Sequence, residues 1–528
     1  MITQAARPLA AGLAIVFVGV LVAVVTVLGL TLVRPVLLAL ALGGLVVLIP
    51  TFVVRDERAY WLFLLALSIP FDVYKRTTSW IVEPYVLSSE YGLPASGTLS
   101  IDIYVSDVVL LAMVLPWLAR LSLRRDTFYF PKVGYIFVLY LIWALIVAMI
   151  NAPSFYLSIL EWCREILYAL SFLYVINNVI TRSQFRAIVL ALFVGLVIEA
   201  GTVTTFFYLE IGTETFALAG LYGETEIHVK PKTHYEAESG EQSHTKRSAG
   251  TFVHPSLAAF YFEFTVIMAL AYLVAATRAW DQILHGALFA GGCVALYLTF
   301  SRSGLVGFIW GTIIFVAVAR WSRLLSQRAF TWFVLFYAIS AAVTGPLLIA
   351  SLLSRPQAAT SRLTLIKRAW DAYMLQPIFG SGLNNSSAVL EGALSRITTF
   401  TGSELQATTV HTHYLVVLIE VGLVGFLLFF AFFWRIVMIA LRSIRAAERE
   451  MKVLLVAMVA SMASVAVHLL GDGLAGHSTS AMLWLYAGLI VAIARQVHAD
   501  RALPLLSRGS GRAVAGALTP APTLDAAH

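Results

Sequence analysis

Two histidines open the stretch TTVHTHYLVVLIEVGLVG at residues 408–425, where a polar segment meets an apolar one. His411 and His413 precede the apolar run, and Glu420 interrupts that run two residues before Gly422. Imidazole is the side chain best suited to proton transfer near neutral pH. The plainer alternative is a pair of histidines that cap a helix where it meets water. The pattern therefore predicts either a proton-transfer site or a polar helix start.

A single arginine lies between two long apolar runs in the segment TFSRSGLVGF at 299–308. Arg302 is close to hydrocarbon, where a cation is costly and is usually paired or functional. Its neighbours Ser301, Ser303 and Gly304 allow the backbone to approach a ligand closely, which suits a phosphate group. The structural alternative is an arginine that reaches to lipid headgroups.

The segment SRLTLIKRAWDAYMLQP at 361–377 has apolar side chains at helical spacing, from Leu363 to Met374. Ser361 can cap this helix, and Pro377 ends it. Such a helix can lie on a membrane surface with its apolar face down. Three basic residues would then concentrate positive charge there: Arg362, Lys367 and Arg368. An anionic ligand and lipid headgroups are equally good partners for them.

The composition indicates a membrane protein, since 60% of the residues are hydrophobic and only 12% are charged, against about 25% charged in soluble domains. Runs of roughly 20 apolar residues can cross a bilayer as helices. About 14 candidate spans lie at 9–33, 36–54, 59–71, 105–119, 133–150, 159–177, 187–209, 255–277, 283–300, 304–319, 330–353, 413–434, 453–470 and 481–497. We therefore expect an all-α polytopic membrane protein with 12–14 transmembrane helices.

Arginine and lysine are concentrated in one set of connecting loops, and this asymmetry predicts the orientation. It places both termini in the cytoplasm and three long loops outside, at about 72–104, 210–254 and 354–412. We expect one membrane domain over residues 1–500. The tail at 501–528 is rich in Ala, Pro, Gly and Ser and is predicted to be disordered.

Loop 210–254 mixes carboxylates with four histidines, but their spacing fits no metal-ligand pattern. We therefore expect a hydrated, mobile loop, no metal site and no cofactor. The net charge of +7 follows from the loop asymmetry and gives no reason to expect nucleic acid as a partner.

Charged residues also occur inside predicted spans. Glu161, Arg164 and Glu165 lie early in the span 159–177, and Glu161 and Arg164 are spaced to pair on one helix face. They form either a structural ion pair or a contact to substrate. A second polar group, with His468 and Asp472 followed by His477, lies in another predicted external turn.

Three segments together resemble the O-antigen ligase and O-antigen polymerase superfamily. They are SRSG at 301–304, RLTLIKRAWDAYMLQPIFGSGLNN at 362–385 and HTHYLVVLIEVGLVG at 411–425. The family's last motif places a histidine nine positions before the glutamate, which is His411 when counted from Glu420. The position after that histidine is usually Asn in the family and is Thr412 here.

The resemblance implies an inverting, metal-independent membrane glycosyltransferase without a cofactor. Its donor would be an oligosaccharide linked to undecaprenyl pyrophosphate, presented at the outer face of the bacterial cytoplasmic membrane. By analogy, Arg302 and Arg362 hold the pyrophosphate and His411 assists the attacking hydroxyl. Further candidates for substrate binding are Arg164, Glu161, His413, Arg368, Ser301 and Ser303.

Two further readings stay open. A polymerase joins lipid-linked repeats and a ligase transfers them to lipid A core or another acceptor, and the helix number and loop 210–254 favour the polymerase. The other class is a solute transporter of the bicarbonate type. A transporter should show helix-breaking Gly or Pro pairs in two matching halves, and the sequence has no such symmetry.

Overall fold

The computed structural model describes residues 56–71, 74–76, 102–209, 227–228, 233–237, 244–252, 254–335, 338, 356–395, 412–473 and 476–515. The helices are α1 Glu57–Ser68, α2 Val105–Ser122, α3 Gly134–Asn151, α4 Phe155–Asn178, α5 Arg182–Leu209, α6 Pro255–Ala275, α7 Ala279–Leu298, α8 Arg302–Trp321, α9 Pro356–Leu375, α10 Ser386–Ser395, α11 His413–Ile444, α12 Arg449–His468 and α13 His477–Ala515. The fold class is all-α, as predicted.

Within the described ranges, nine helices are long and apolar enough to cross a membrane. They are α2, α3, α5, α6, α7, α8, α11, α12 and the part of α13 up to His498. Helix α4 covers the predicted span 159–177, but three charged residues in its first half keep it out of this set. Helix α1, with 12 residues, is short. The predicted spans 9–33 and 36–54 lie outside the described residues, as does most of 330–353.

Helices α6, α12 and α13 form the centre of the bundle. In the most apolar stretch of each helix, 83%, 78% and 78% of the residues, respectively, are buried. Helix α8 packs along α12 and α6, and α4 packs along α13. Gly307 allows the close approach of α8, since a Cβ there would lie 2.8 Å from the Ser464 carbonyl oxygen. Side chains of α2, α3 and α7 are largely outward-facing and apolar, as lipid contact requires.

Short strands lie in two of the predicted external loops. Strand β1 (Tyr74–Arg76) pairs with β2 (Asp102–Tyr104) and with β3 (Ile227–His228), antiparallel in both cases. Strands β4 (Thr233–Ala237) and β5 (His244–Ser248) form an antiparallel hairpin. The segment 210–254, expected to be a mobile loop, therefore contains paired strands where it is described.

Helix α11 is broken at Gly422, whose φ of 63° and ψ of −173° are not helical. Tyr414 and Phe430 are 16 residues apart and would be separated by about 24 Å in a straight helix. Their ring centroids are only 4.9 Å apart, and those of His413 and Phe429 are 6.3 Å apart. Residues 413–421 therefore fold back against 423–444. The single span predicted at 413–434 is in fact a short half-helix followed by a crossing helix.

Several polar groups freed by this break are paired with neighbouring segments. Ser381 N donates to the Ile419 oxygen at 2.9 Å, and Gly382 N donates to the Glu420 oxygen at 2.7 Å. Trp143 Nε1 on α3 donates to the Val421 oxygen at 2.9 Å. Broken helices occur at membrane depth only where other protein groups satisfy the backbone in this way.

Two helix boundaries differ from the predictions. Helix α9 begins at Pro356 rather than near Ser361, because proline is well suited to the first turn of a helix. Helix α13 continues to Ala515 through residues 501–515, for which we expected disorder.

Candidate active site

The SRSG turn connects α7 and α8 in the way its spacing predicts. Helix α7 ends at Leu298, and the Ser301 hydroxyl caps α8 by accepting a hydrogen bond from Gly304 N at 3.2 Å. Ser301 is buried and Arg302, the first residue of α8, is exposed. The first turn of a helix also presents unpaired backbone N–H groups and a partial positive charge. Arg302 and the helix start together favour an anionic ligand.

The turn at residues 469–472, after α12, joins the starts of α8 and α11. A Cβ on Gly471 would lie 3.0 Å from Ser303 Cβ. On its other side, His413 N donates to the oxygens of Leu469 at 3.1 Å and Asp472 at 3.3 Å. Thr412 Oγ1 donates to the Leu470 oxygen at 3.1 Å. The backbone at Thr412, which directly follows His411 in the chain, is therefore brought to the same turn as Ser303.

Two of the three predicted catalytic side chains are not described. His411 lies outside the described residues, and Arg362 lies on α9 without a described side chain. Helix α9 packs against the half-helix 413–421 through a small apolar cluster that includes Tyr373 and Ile419. Arg368 on the same helix is half-buried. The backbone of Arg362 thus belongs to a helix that contacts the segment next to His411.

His413 is half-buried at the start of α11, and its ring lies edge-on to Phe429. Glu420, at the other end of the half-helix, accepts a hydrogen bond from the Ser386 hydroxyl at 2.8 Å. The segment that supplies Ser386 is tied to α4, because Asn385 Oδ1 accepts from Ser154 N at 2.9 Å. Glu420 therefore makes a partly buried hydrogen bond that anchors the half-helix.

Arg164 and Glu161 lie in a second polar group, around the start of α13. The Arg164 guanidinium is 5.5 Å from the centre of the Tyr104 ring, and that ring stacks on His477 at 3.9 Å. His477 Nε2 lies 2.8 Å from the Ser106 hydroxyl. Arg164 is also within electrostatic range of Glu161. This polar group lies at the α13 end of the connection between α12 and α13. The SRSG turn lies near the α12 end of the same connection.

Sequence reasoning missed a carboxylate beneath the SRSG turn. Glu263 on α6 is fully buried, and its Oε1 lies 2.6 Å from His468 Nδ1. The signal was present, since a glutamate inside the apolar run FYFEFTVIMAL is unusual for a membrane helix. His468 and Asp472 were noted as an external turn without a role. The structure places His468 against α8, because a Cβ on Gly304 would lie 3.2 Å from His468 Cε1.

A family model described as O-Antigen ligase matches residues 287–430. This region is similar to the O-antigen ligase family. The match begins in α7, includes the SRSG turn and α9, and ends at Phe430, beyond the break in α11. The matched region thus contains all three segments that resemble the O-antigen ligase and polymerase superfamily. The predicted family resemblance is confirmed. This similarity supports a membrane glycosyltransferase-type enzyme.

Comparison with whole proteins adds little. No curated protein sequence matches the chain. One chain of a solved structure, described as "Structural coordination of polymerization and crosslinking by a peptidoglycan synthase complex", is similar at 13% identity with a TM-score of 0.38. The match covers 69% of this chain and 97% of that chain.

Proposed function

We propose that this protein transfers saccharide units from an undecaprenyl-pyrophosphate carrier to a saccharide acceptor, and that it acts as a polysaccharide polymerase. The reaction takes place at the outer face of the bacterial cytoplasmic membrane, with both termini in the cytoplasm. The donor is the lipid-linked oligosaccharide, and the acceptor is a second saccharide or lipid-linked chain. Neither a cofactor nor a metal takes part.

The turn at 469–472 is the observation that carries this proposal. It contacts Ser303 at the start of α8 and binds the backbone of His413 at the start of α11. A guanidinium and a helix start are suited to a pyrophosphate leaving group, because both stabilise negative charge. A histidine beside that site can assist the attacking hydroxyl. In this proposal Arg302 and Arg362 bind the pyrophosphate and His411 acts on the hydroxyl.

The remaining candidates have supporting roles. Ser301 and Ser303 shape the backbone that surrounds the phosphate, and Arg368 adds positive charge on α9. Arg164 and Glu161, on the other side of the α12–α13 connection, line the approach of the acceptor. His413 holds the start of α11 to the turn through its backbone.

Reconstitution in liposomes tests the proposal most directly. The purified protein is supplied with lipid-linked oligosaccharides extracted from the membranes of its source cells. We expect the saccharide chain to lengthen and free undecaprenyl pyrophosphate to accumulate, with turnover unchanged when EDTA is added. Transfer of single units to lipid A core would instead identify a ligase. Solute flux without any change in the oligosaccharides would identify a transporter.

A further inference from the structure

Glu263 and His468 form a buried pair that none of the roles above requires. His468 Nδ1 lies 2.6 Å from Glu263 Oε1, and the Ser464 hydroxyl donates to Glu263 Oε2 at 2.8 Å. The His468 ring also stacks on Phe260, with ring centroids 3.6 Å apart. Both side chains are completely buried. The carboxylate thus holds the imidazole in one orientation, with a proton on Nδ1 and a lone pair on Nε2.

The free nitrogen of this imidazole points toward the candidate site. His468 Nε2 is buried and makes no hydrogen bond to any residue that the structure describes. It lies 3.9 Å from Asp472 Oδ2, and the Asp472 side chain is 24% exposed. Asp472 is held in place because its Oδ1 accepts a hydrogen bond from Gly473 N at 3.0 Å. The Asp472 carboxylate of the 469–472 turn thus lies beside the buried nitrogen without a hydrogen bond to it.

A fully buried glutamate such as Glu263 is unfavourable for a contact that only stabilises the fold. Removing a carboxylate from water is costly, and replacing a buried ion pair by neutral side chains often leaves a protein equally or more stable. The cost is higher at membrane depth, where buried ionisable groups are generally functional. A carboxylate beside Nδ1 has one specific effect, which is to stabilise the imidazolium when Nε2 gains a proton.

We infer that Glu263 and His468 are the proton-accepting pair of the transferase, and that Asp472 connects them to the substrates. The inference rests on the proposed function. As the acceptor hydroxyl oxygen bonds to the anomeric carbon, the bond from that carbon to the pyrophosphate breaks and the pyrophosphate leaves with its electron pair. His411 orients the hydroxyl, whose proton passes through Asp472 to His468 Nε2, and Glu263 stabilises the positive charge. The proton returns to water when the products leave.

Replacing Glu263 by glutamine separates this role from a structural one. The amide keeps the shape and can still accept from Nδ1, but it cannot stabilise an imidazolium. We expect Glu263→Gln and His468→Phe each to lower turnover about 10²-fold, with unchanged KM for the donor. Glu263→Gln should keep the thermal stability of the wild type, whereas His468→Phe should be less stable because it leaves the Glu263 carboxylate buried without its partner. The matched control is Glu199→Gln, which neutralises another fully buried carboxylate, one that pairs with Thr251. It should keep wild-type turnover.

A structural pair gives a different result. Glu263→Gln would then be fully active and at least as stable as the wild type, and that outcome overturns the inference. If the wild-type protein itself transfers no saccharide, the proposed function fails, and turnover cannot test the pair.

A binding measurement tests the pair without any turnover. Undecaprenyl pyrophosphate is titrated into the detergent-solubilised protein by calorimetry in two buffers of different ionisation enthalpy, which gives the number of protons taken up. The pyrophosphate should draw a proton onto His468 in the wild type and in Glu199→Gln, and less in Glu263→Gln and His468→Phe. Equal uptake in all four proteins contradicts the inference, whether or not saccharide transfer is observed.

Discussion

Arginine and lysine are not equivalent at position 302, although both carry a positive charge. Lysine lacks the planar fork that binds two phosphate oxygens at once. We predict that Arg302→Lys and Arg362→Lys each lose about 10²-fold or more in turnover, as expected when one stabilising donor is removed. Expression should be unchanged. The assay is saccharide transfer in liposomes.

Arg320→Lys is the matched control, since Arg320 lies at the other end of α8 and donates to Gln327 Oε1. It should keep normal turnover. Full activity of Arg302→Lys would show that this arginine serves lipid headgroups or folding.

The two histidines at the start of α11 should differ sharply. If His411 acts on the attacking hydroxyl, His411→Ala should lower turnover by about 10² to 10⁴, with little change in donor affinity. His413→Ala should be far milder, because His413 binds the 469–472 turn through its backbone N, which alanine retains. Turnover and donor affinity of both variants decide the matter. An inactive His413→Ala beside an active His411→Ala would place the family motif two residues out of register.

Single residues were predicted unevenly from the sequence. The turn between α7 and α8 was predicted from the two apolar runs that flank it. The cap at Ser301 was not predicted, although a serine before an apolar run is a common helix cap. The pairing of Glu263 with His468 does not follow from local rules, since the two residues lie on different helices and 205 positions apart. Only the packing of α6 against α12 brings them together.

At the scale of elements, the break in α11 depends on two glycines in contact. Gly422 and Gly380 both have positive φ, and a Cβ on Gly422 would lie 2.2 Å from the Ile378 oxygen. We predict that Gly422→Ala destabilises the protein by more than about 2 kcal/mol, from backbone strain and the clash together. Gly201→Ala is the control, because a Cβ there meets nothing within 4 Å. Thermal unfolding in detergent measures both, and a stable Gly422→Ala would refute the break.

The sequence could not reveal this break. Apart from Glu420, EVGLVGF has the composition of an apolar helix, and single glycines such as Gly422 are tolerated in such a pattern. The bend is stable only because Ser381, Gly382 and Trp143, which lie far away in the chain, bind the freed carbonyl groups. Local periodicity contains no information about such partners. Helices without an internal break, such as α6 and α12, were predicted nearly to their ends.

At the scale of the whole molecule, the proposal requires residues 354–412 to face the outside. Cysteines introduced singly into this segment, in a variant without Cys163 and Cys293, report its side of the membrane. We predict labelling by a membrane-impermeant maleimide added to intact cells, because the basic loops are on the opposite side. A cysteine introduced near Arg442 or Arg445 is the control and should be labelled only after lysis. The reverse pattern would overturn both the orientation and the location of the site.

The fold-back of α11 affects whether a sugar hydroxyl or a water molecule attacks the donor in the proposed reaction. Tyr414 is level with Phe430, so the start of the half-helix lies about 10 Å below the top of the crossing helix, counted from Leu423 at 1.5 Å per residue. In the proposed reaction, an acceptor that reaches a donor bound at this depth excludes bulk water, and the activated saccharide passes to a sugar hydroxyl instead of being hydrolysed. Loosening the hinge should thus appear as free reducing oligosaccharide released from the carrier before transfer itself is lost.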